Sequence, residues 1–367
     1  MKKLFFIAAL AGAALVSCTK NEVAPSAQQD EITFLAPVVG NITKASEVTG
    51  TTFPTSMKFN AWAWYHAGTD AFTSAGATVY MNEITVEYVS GDVVTDDSGT
   101  GGWHATPAYY WPKNGLLTFD AYAPHDLESK GTCEVASTAA DGLTITDYTV
   151  PSTIANQIDV MYSTRVYDKT KSSFTDGGYD GVDIQFNHAL SVIAIKAAAA
   201  DATAANVVRI KNIRIESAFN KGTFKQNHLN GYGGTPTWTP ATASKETYYV
   251  VGSSTTDYAA ATTIAEGDPV QKGENLILLP QVFTTSGAKI TVDYFIQNGG
   301  SSGPVVEQTY TLELSGTDHK DSSDAQITSW EMGKRYTYSI VIGVNEIYIA
   351  PSISTDWVNV NSSFPAI

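Results

Sequence analysis

The chain has 367 residues, with 22 Lys and Arg against 37 Asp and Glu, giving a net charge of −15. That balance excludes an electrostatic nucleic-acid binder, which needs a basic face, and suits a soluble, exposed surface. The length allows two ordinary domains with separate cores, and only two cysteines exclude a disulfide scaffold.

Lys2 and Lys3 open a short positive region, and Leu4 to Val16 is an apolar run. Its length suits a signal segment and is too short for a permanent membrane helix. It ends in Leu15-Val16-Ser17-Cys18, small residues before a cysteine, the pattern of a lipidation box. Residues 1–17 therefore read as a removed signal, and Cys18 as the site of a lipid that anchors the protein without spanning the bilayer. No later segment is apolar enough to cross a membrane. With Cys18 used, Cys133 stands alone, so no cysteine-based zinc site can form.

Past the signal the composition is strand-like, rich in Thr, Val, Ile and Tyr, with 29 Gly and 14 Pro as punctuation. Period-2 alternation places Ile84, Val86 and Tyr88 on one face, then Leu117, Phe119 and Ala121 against Thr118 and Asp120. It returns at Ile290, Val292, Tyr294 and Ile296, at Tyr310, Leu312 and Leu314, and at Tyr336, Tyr338, Ile340, Ile342 and Val344. Each run reads as a half-buried strand, with one face in a core and one in water. Turn-forming clusters such as Asn298-Gly299-Gly300-Ser301-Ser302-Gly303 separate them. The one helix-like stretch is Ala197 to Ala205. The expected fold is all-β with little helix, built from antiparallel sandwiches. A polar, glycine-containing stretch places a domain junction near 170–183.

Motifs for chemistry are weak. Gly299-Gly300-Ser301-Ser302-Gly303 matches Gly-x-Ser-x-Gly, but a hairpin between strands fits it better than a nucleophile elbow, which needs a following helix. The six histidines show no metal-binding spacing. His188, inside an apolar strand, reads as a core histidine with a hydrogen-bond partner. Asp176, Asp180 and Asp183 lack the EF-hand pattern and read as a solvated linker. No enzyme, metal or cofactor is expected. Trp62, Trp64 and Tyr65, and Trp103, Tyr109, Tyr110 and Trp111, form two aromatic clusters. If exposed they would stack on sugars; large aromatics are more often buried. A surface hydrolase would need a carboxylate pair that sequence does not reveal.

Several stretches together resemble the fimbrillin family, the subunits of type V pili. They are Glu31-Ile32-Thr33-Phe34 with Thr43-Lys44-Ala45, Tyr110-Trp111-Pro112, Leu117 to Pro124, Asp159 to Ser163, and Phe186 to Ser191. Leu276 to Gln281 and Trp330 to Tyr336 add to them. The resemblance spans nearly the whole chain. It implies two tandem antiparallel β-sandwich domains of transthyretin-like type, at 45–175 and 176–367, after a propeptide at 18–44 that carries the first strand. It also implies an outer-membrane lipoprotein precursor that moves to the cell surface and the fimbrium. A trypsin-like maturation protease would cut between Lys44 and Ala45. Ile32, Phe34, Ala36 and Val38 would lie on the removed strand. A terminal strand of another fimbrial subunit would fill the groove, and 346–367, with Ile347, Tyr348, Ile349, Trp357, Val358 and Val360, is the candidate donor. Pro351 suits an edge strand or a break, which could act as a hinge. The family often has Arg where Lys44 stands, so an Arg-specific protease would not cut here. The expected role is adhesion, with a host or bacterial surface glycan or protein as receptor. The alternative is a non-polymerising surface lipoprotein that binds glycans.

Overall fold

The computed structural model describes residues 31–35, 37–39, 53–91, 101–174, 181–200, 202–203, 205–343 and 346–354. Cys18, Ala36, Lys44, Ala45, Trp357, Val358 and Val360 lie outside the described residues. The fold is all-β. Among the described residues the only α-helices are α1 (Leu127–Gly131) and α2 (Phe283–Ser286), and no helix is long and apolar enough to cross a membrane.

The N-terminal half begins with β1 (Thr33–Phe34), β2 (Val38–Val39), β3 (Phe59–His66), β4 (Thr78–Ser90), β5 (Gly101–Thr106) and β6 (Leu116–Ala123). It continues with β7 (Glu134–Thr138), β8 (Gly142–Thr149), β9 (Met161–Ser163), β10 (Val166–Lys169), β11 (Gly181–Val182) and β12 (Gln185–His188). Ladders run from β5 through β4, β3, β6 and β9 to β12. The 31–39 segment then joins both ends: β1 pairs with β5 and with β11, and β2 pairs with β12. The sheet is therefore closed on itself, and 31–39 is its closing stave. Closure is the usual way to remove exposed edges.

The C-terminal half contains β13 (Ser191–Ala199), β14 (Asn206–Phe219), β15 (Lys221–Lys225), β16 (Thr237–Pro240), β17 (Lys245–Gly252) and β18 (Thr262–Ile264). Next come β19 (Val270–Gln271), β20 (Leu276–Leu278), β21 (Gln281–Val282), β22 (Lys289–Asn298) and β23 (Val305–Glu313). It ends with β24 (Ser329–Trp330), β25 (Arg335–Ile342) and β26 (Ile347–Ser354). One sheet runs β19-β13-β25-β26, and another β17-β14-β22-β23. Alternate residues of both, such as Ile193, Tyr338 and Ile340 against Ile213, Ile290 and Val292, share one buried cluster. A third sheet, β16-β15-β8-β7, draws two strands from each side of the expected 170–183 junction.

Three features differ from the sequence reading. The pairings β1–β11, β2–β12 and β13–β25 are parallel, within sheets expected to be antiparallel. Ala197, Ala198 and Ala199 are not helical; they end β13, paired with Ile340 to Ile342, and are at most 2% exposed. Tertiary pairing overrides helix propensity there, and small side chains suit a strand covered on both faces. The alternation on β6 and β25 does not separate core from water either. Thr118, Asp120, Thr337 and Ser339 are buried, because other elements cover the second face of these central strands.

Asp120 shows how that second face is satisfied. The Arg165 guanidinium donates from Nε to Asp120 Oδ1 at 2.8 Å and from Nη2 to Oδ2. Its remaining donors reach Thr138 O, Ala139 O and Gly231 O. Trp64 Nε1 and Ser137 Oγ also donate to Asp120 Oδ2, at 3.1 and 3.0 Å. Both side chains of the pair are fully buried. Gly231 belongs to the arm between β15 and β16, so the network ties the two halves together. Tyr232 of the same arm stacks on Tyr167 at 4.9 Å and 10°.

Candidate assembly site

The site is the 31–39 segment and the slot that holds it. Ile32, Phe34 and Val39 are fully buried, and Thr33 nearly so. The Phe34 ring stands edge-on to Phe59 at 5.5 Å and to Phe119 at 6.1 Å, in the centre of the closed sheet. Ladder partners are Trp103 and His104 on β5, and Gly181 and Val182 on β11. Ile32 N donates to Tyr109 O at 2.7 Å, and Leu35 N to Val182 O at 3.0 Å. A Cβ on Gly181 would meet Leu35 N at 2.6 Å, so glycine permits the close parallel approach at that point. His104 Nδ1 and Glu31 Oε1 lie 3.1 Å apart at the slot's mouth. Burying each of the three large apolar side chains contributes roughly 1.5–3 kcal/mol.

Of the four residues expected on one face of this segment, Ile32 and Phe34 enter the core and Ala36 lies outside the described residues. Val38 pairs with Gln185, and Val39, which follows it, is fully buried. The β1 pairings join residues 148 apart (33 with 181), whereas the β2 pairings join residues 147 apart (38 with 185). The register thus slips by one between the two strands, and Val39 joins Ile32 and Phe34 among the buried residues.

The candidate donor strand has a definite place. Among the described residues β26 is a sheet edge, paired with β25 alone over eight residues, from Arg335↔Ser354 to Ile342↔Ile347. Ile347 and Ile349 are half-buried and Tyr348 is 60% exposed. The strand runs unbroken through Pro351, which is buried opposite Tyr338, so proline here marks the edge and not a break.

The residues weighed for other chemistry fall apart in space. Gly299 and Gly300, at φ 92° and 74°, turn the chain from β22 into antiparallel β23, so Ser301 sits in a hairpin with no helix of the elbow kind behind it. His188 is buried, with Nδ1 at 2.8 Å from Asp159 Oδ1. Asp176 and Asp180 lie outside the described residues. Among the described residues no group of three or more His, Cys, Asp or Glu gathers around a metal position. Trp62, Trp64, Trp103 and Trp111 are all buried, so they offer no platform for sugar rings; Tyr110 is exposed. Cys133 is half-buried, and burial pushes its thiol up to about 11. Near pH 8 the thiolate is then about a hundredfold scarcer than for an ordinary cysteine. Labelling by a thiol reagent at pH 8 is expected to be slower in that proportion, and a rate matching the unfolded chain would contradict this environment.

The Arg165–Asp120 network and the 226–236 arm were missed by sequence reading. Their only sequence traces are an acid inside the β6 alternation and a lone arginine between β9 and β10.

Among solved structures, a fimbrial protein from Bacteroides vulgatus aligns at a TM-score of 0.55 and 16% identity, over 89% of this chain and 100% of that one. A provisionally assigned cell adhesion protein from Bacteroides uniformis aligns at 0.48 and 16% identity, over 89% and 98%. A fimbrilin from Porphyromonas gingivalis aligns at 0.41 and 11% identity, over 90% and 99%. At 16% identity the first likeness speaks to the fold alone. No curated protein matches the chain. The model of the fimbrillin-like family matches residues 43–357. That span includes every strand from β3 to β26, and with it the slot that holds the N-terminal segment; the chain belongs to the fimbrillin-like family.

Proposed function

We propose that the protein is a structural subunit of a surface fimbria, exported as a lipoprotein precursor and assembled by protease-triggered β-strand exchange. The observation that carries this reading is the closing role of 31–39. The segment pairs on both sides, and Ile32, Phe34 and Val39 are fully buried. A cut after Lys44 frees that segment from the body of the protein. Its departure leaves β5 and the β11–β12 stretch as open edges and uncovers Phe59, Phe119 and the indole of Trp103. Open edges with apolar pockets invite an added strand: main-chain hydrogen bonds supply affinity and alternate side chains supply register. A strand from 346–367 of a neighbouring subunit, carrying Ile347, Tyr348, Ile349, Trp357, Val358 and Val360, fills the place. The uncut segment keeps the slot covered until export is complete. The fimbria serves adhesion at the cell surface.

Lys44→Ala tests the trigger. That variant is expected to fold as a monomer and to form no polymer when treated with a trypsin-like protease. Normal polymer from it would overturn the cleavage site.

A further inference from the structure

A second apolar recess lies in the C-terminal half, away from the 31–39 slot. It is a cleft of about 480 Å³ walled by Phe219, Trp238, Pro240, Pro280, Trp330 and Met332. That size is ordinary for a site that takes one small ligand or one large side chain with its neighbours. Trp330 is a buried wall, and Val282, at the rim, is 50% exposed. Among the described residues the surrounding strands are edges: β16 pairs only with β15, and β21 and β24 pair only with each other. The cleft therefore offers apolar contact beside strand edges that can still be extended.

Register shows which segment reaches it. Ser354, the last residue of β26, pairs with Arg335. Arg335 directly follows the Glu331–Lys334 turn, closed by Lys334 N donating to Glu331 O at 3.3 Å. Glu331 and Met332 of that turn line the cleft. The chain leaving Ser354 thus emerges at the cleft's rim. Residues 355–367 carry Trp357, Val358, Val360, Phe364 and Ile367, with Asp356 as their one charged side chain. Three residues of extended chain span about 10 Å, so Trp357 can reach the cleft without disturbing β26.

We propose that residues 355–367 dock in this cleft of their own subunit, with Trp357 as the first side chain to enter. The docking itself is independent of assembly; its consequence rests on the donor reading above. The segment offered to a neighbour is sheltered at home until a neighbour's slot opens. A short tether gives an effective concentration in the millimolar range. A contact with a millimolar dissociation constant is then about half occupied, and is weak enough to yield to a slot that supplies a full ladder.

The test uses residues 19–367 bearing Lys44→Ala, which keeps the slot closed, with a photoreactive phenylalanine analogue at position 357. Illumination of the monomer is expected to give intramolecular crosslinks to 236–242 or 329–332, and Met332→Lys should reduce them at least about twofold, from about half occupancy to a quarter or less. Crosslinks elsewhere on the same chain, or none, overturn the docking. Amide exchange is the second readout: deleting 355–367 should speed exchange at 281–282 and 329–330 by about twofold or more, and unchanged exchange overturns the proposal. In the protease-cut, Lys44-containing protein, intermolecular crosslinks to 101–106 or 181–188 report donation separately, so either idea can fail without the other.

Discussion

Arg165→Ala is expected to lower the unfolding free energy by about 3–5 kcal/mol, because it leaves Asp120 charged and buried without its partner. The whole stability of a domain is roughly 5–15 kcal/mol, so this one change should bring the protein close to unfolding at room temperature. The guanidinium uses its donors on Asp120 and on three backbone carbonyls, Thr138 O, Ala139 O and Gly231 O. That makes a second expectation possible. Neutralising the acid as well, in Asp120→Asn with Arg165→Met, should recover part of the loss, since no buried charge remains. Full recovery is not expected, because the three carbonyls still lack donors, each costing about 1–3 kcal/mol. Denaturant unfolding of the two variants measures both. Because Gly231 belongs to the C-terminal half, the loss should appear in one transition shared by both halves. Two separated transitions in Arg165→Ala, with the C-terminal half unaffected, would contradict the role of the network as a tie.

Phe34→Ala carries the next largest effect, and its dependence on processing is the informative part. In the uncut precursor the ring fills the centre of the closed sheet against Phe59 and Phe119. Truncating it should cost about 3–5 kcal/mol, the transfer term plus the cavity left behind. If strand exchange removes the 31–44 segment, the mature polymer no longer contains position 34. Polymer grown from Phe34→Ala precursor should then match wild-type polymer in denaturant resistance, although its precursor is far weaker. Equal weakening of precursor and polymer would mean that the segment stays in place after assembly.

Much of the fold was legible because a half-buried strand writes itself as period 2. The runs at Ile84 to Tyr88, Ile290 to Ile296 and Tyr336 to Ile342 all lie in strands, within β4, β22 and β25. The buried face of β1 was legible in the same way through Ile32 and Phe34. Alternation says which face is apolar, however, and not which strand lies alongside. The parallel partners of the 31–39 segment lie about 150 residues away, and no local pattern encodes them. Alternation also failed on the most central strands. Asp120 looked solvent-facing because it is an acid, yet a lone arginine from the link between β9 and β10 makes its burial tolerable. Ala197 to Ala199 looked helical because alanine favours helix when nothing else acts on it; eight paired residues along β25 act on it here. The one-residue slip between β1 and β2, which brings Val39 into the core, leaves no trace in a simple alternation.

The most direct test of strand exchange is limited trypsin digestion of residues 19–367, read by intact mass and by unheated gel electrophoresis. The expected result is a cut after Lys44, release of the segment through that residue, and a ladder of oligomers that resists denaturant. A folded monomer that keeps residues 31–44, or that loses them without assembling, would contradict the account.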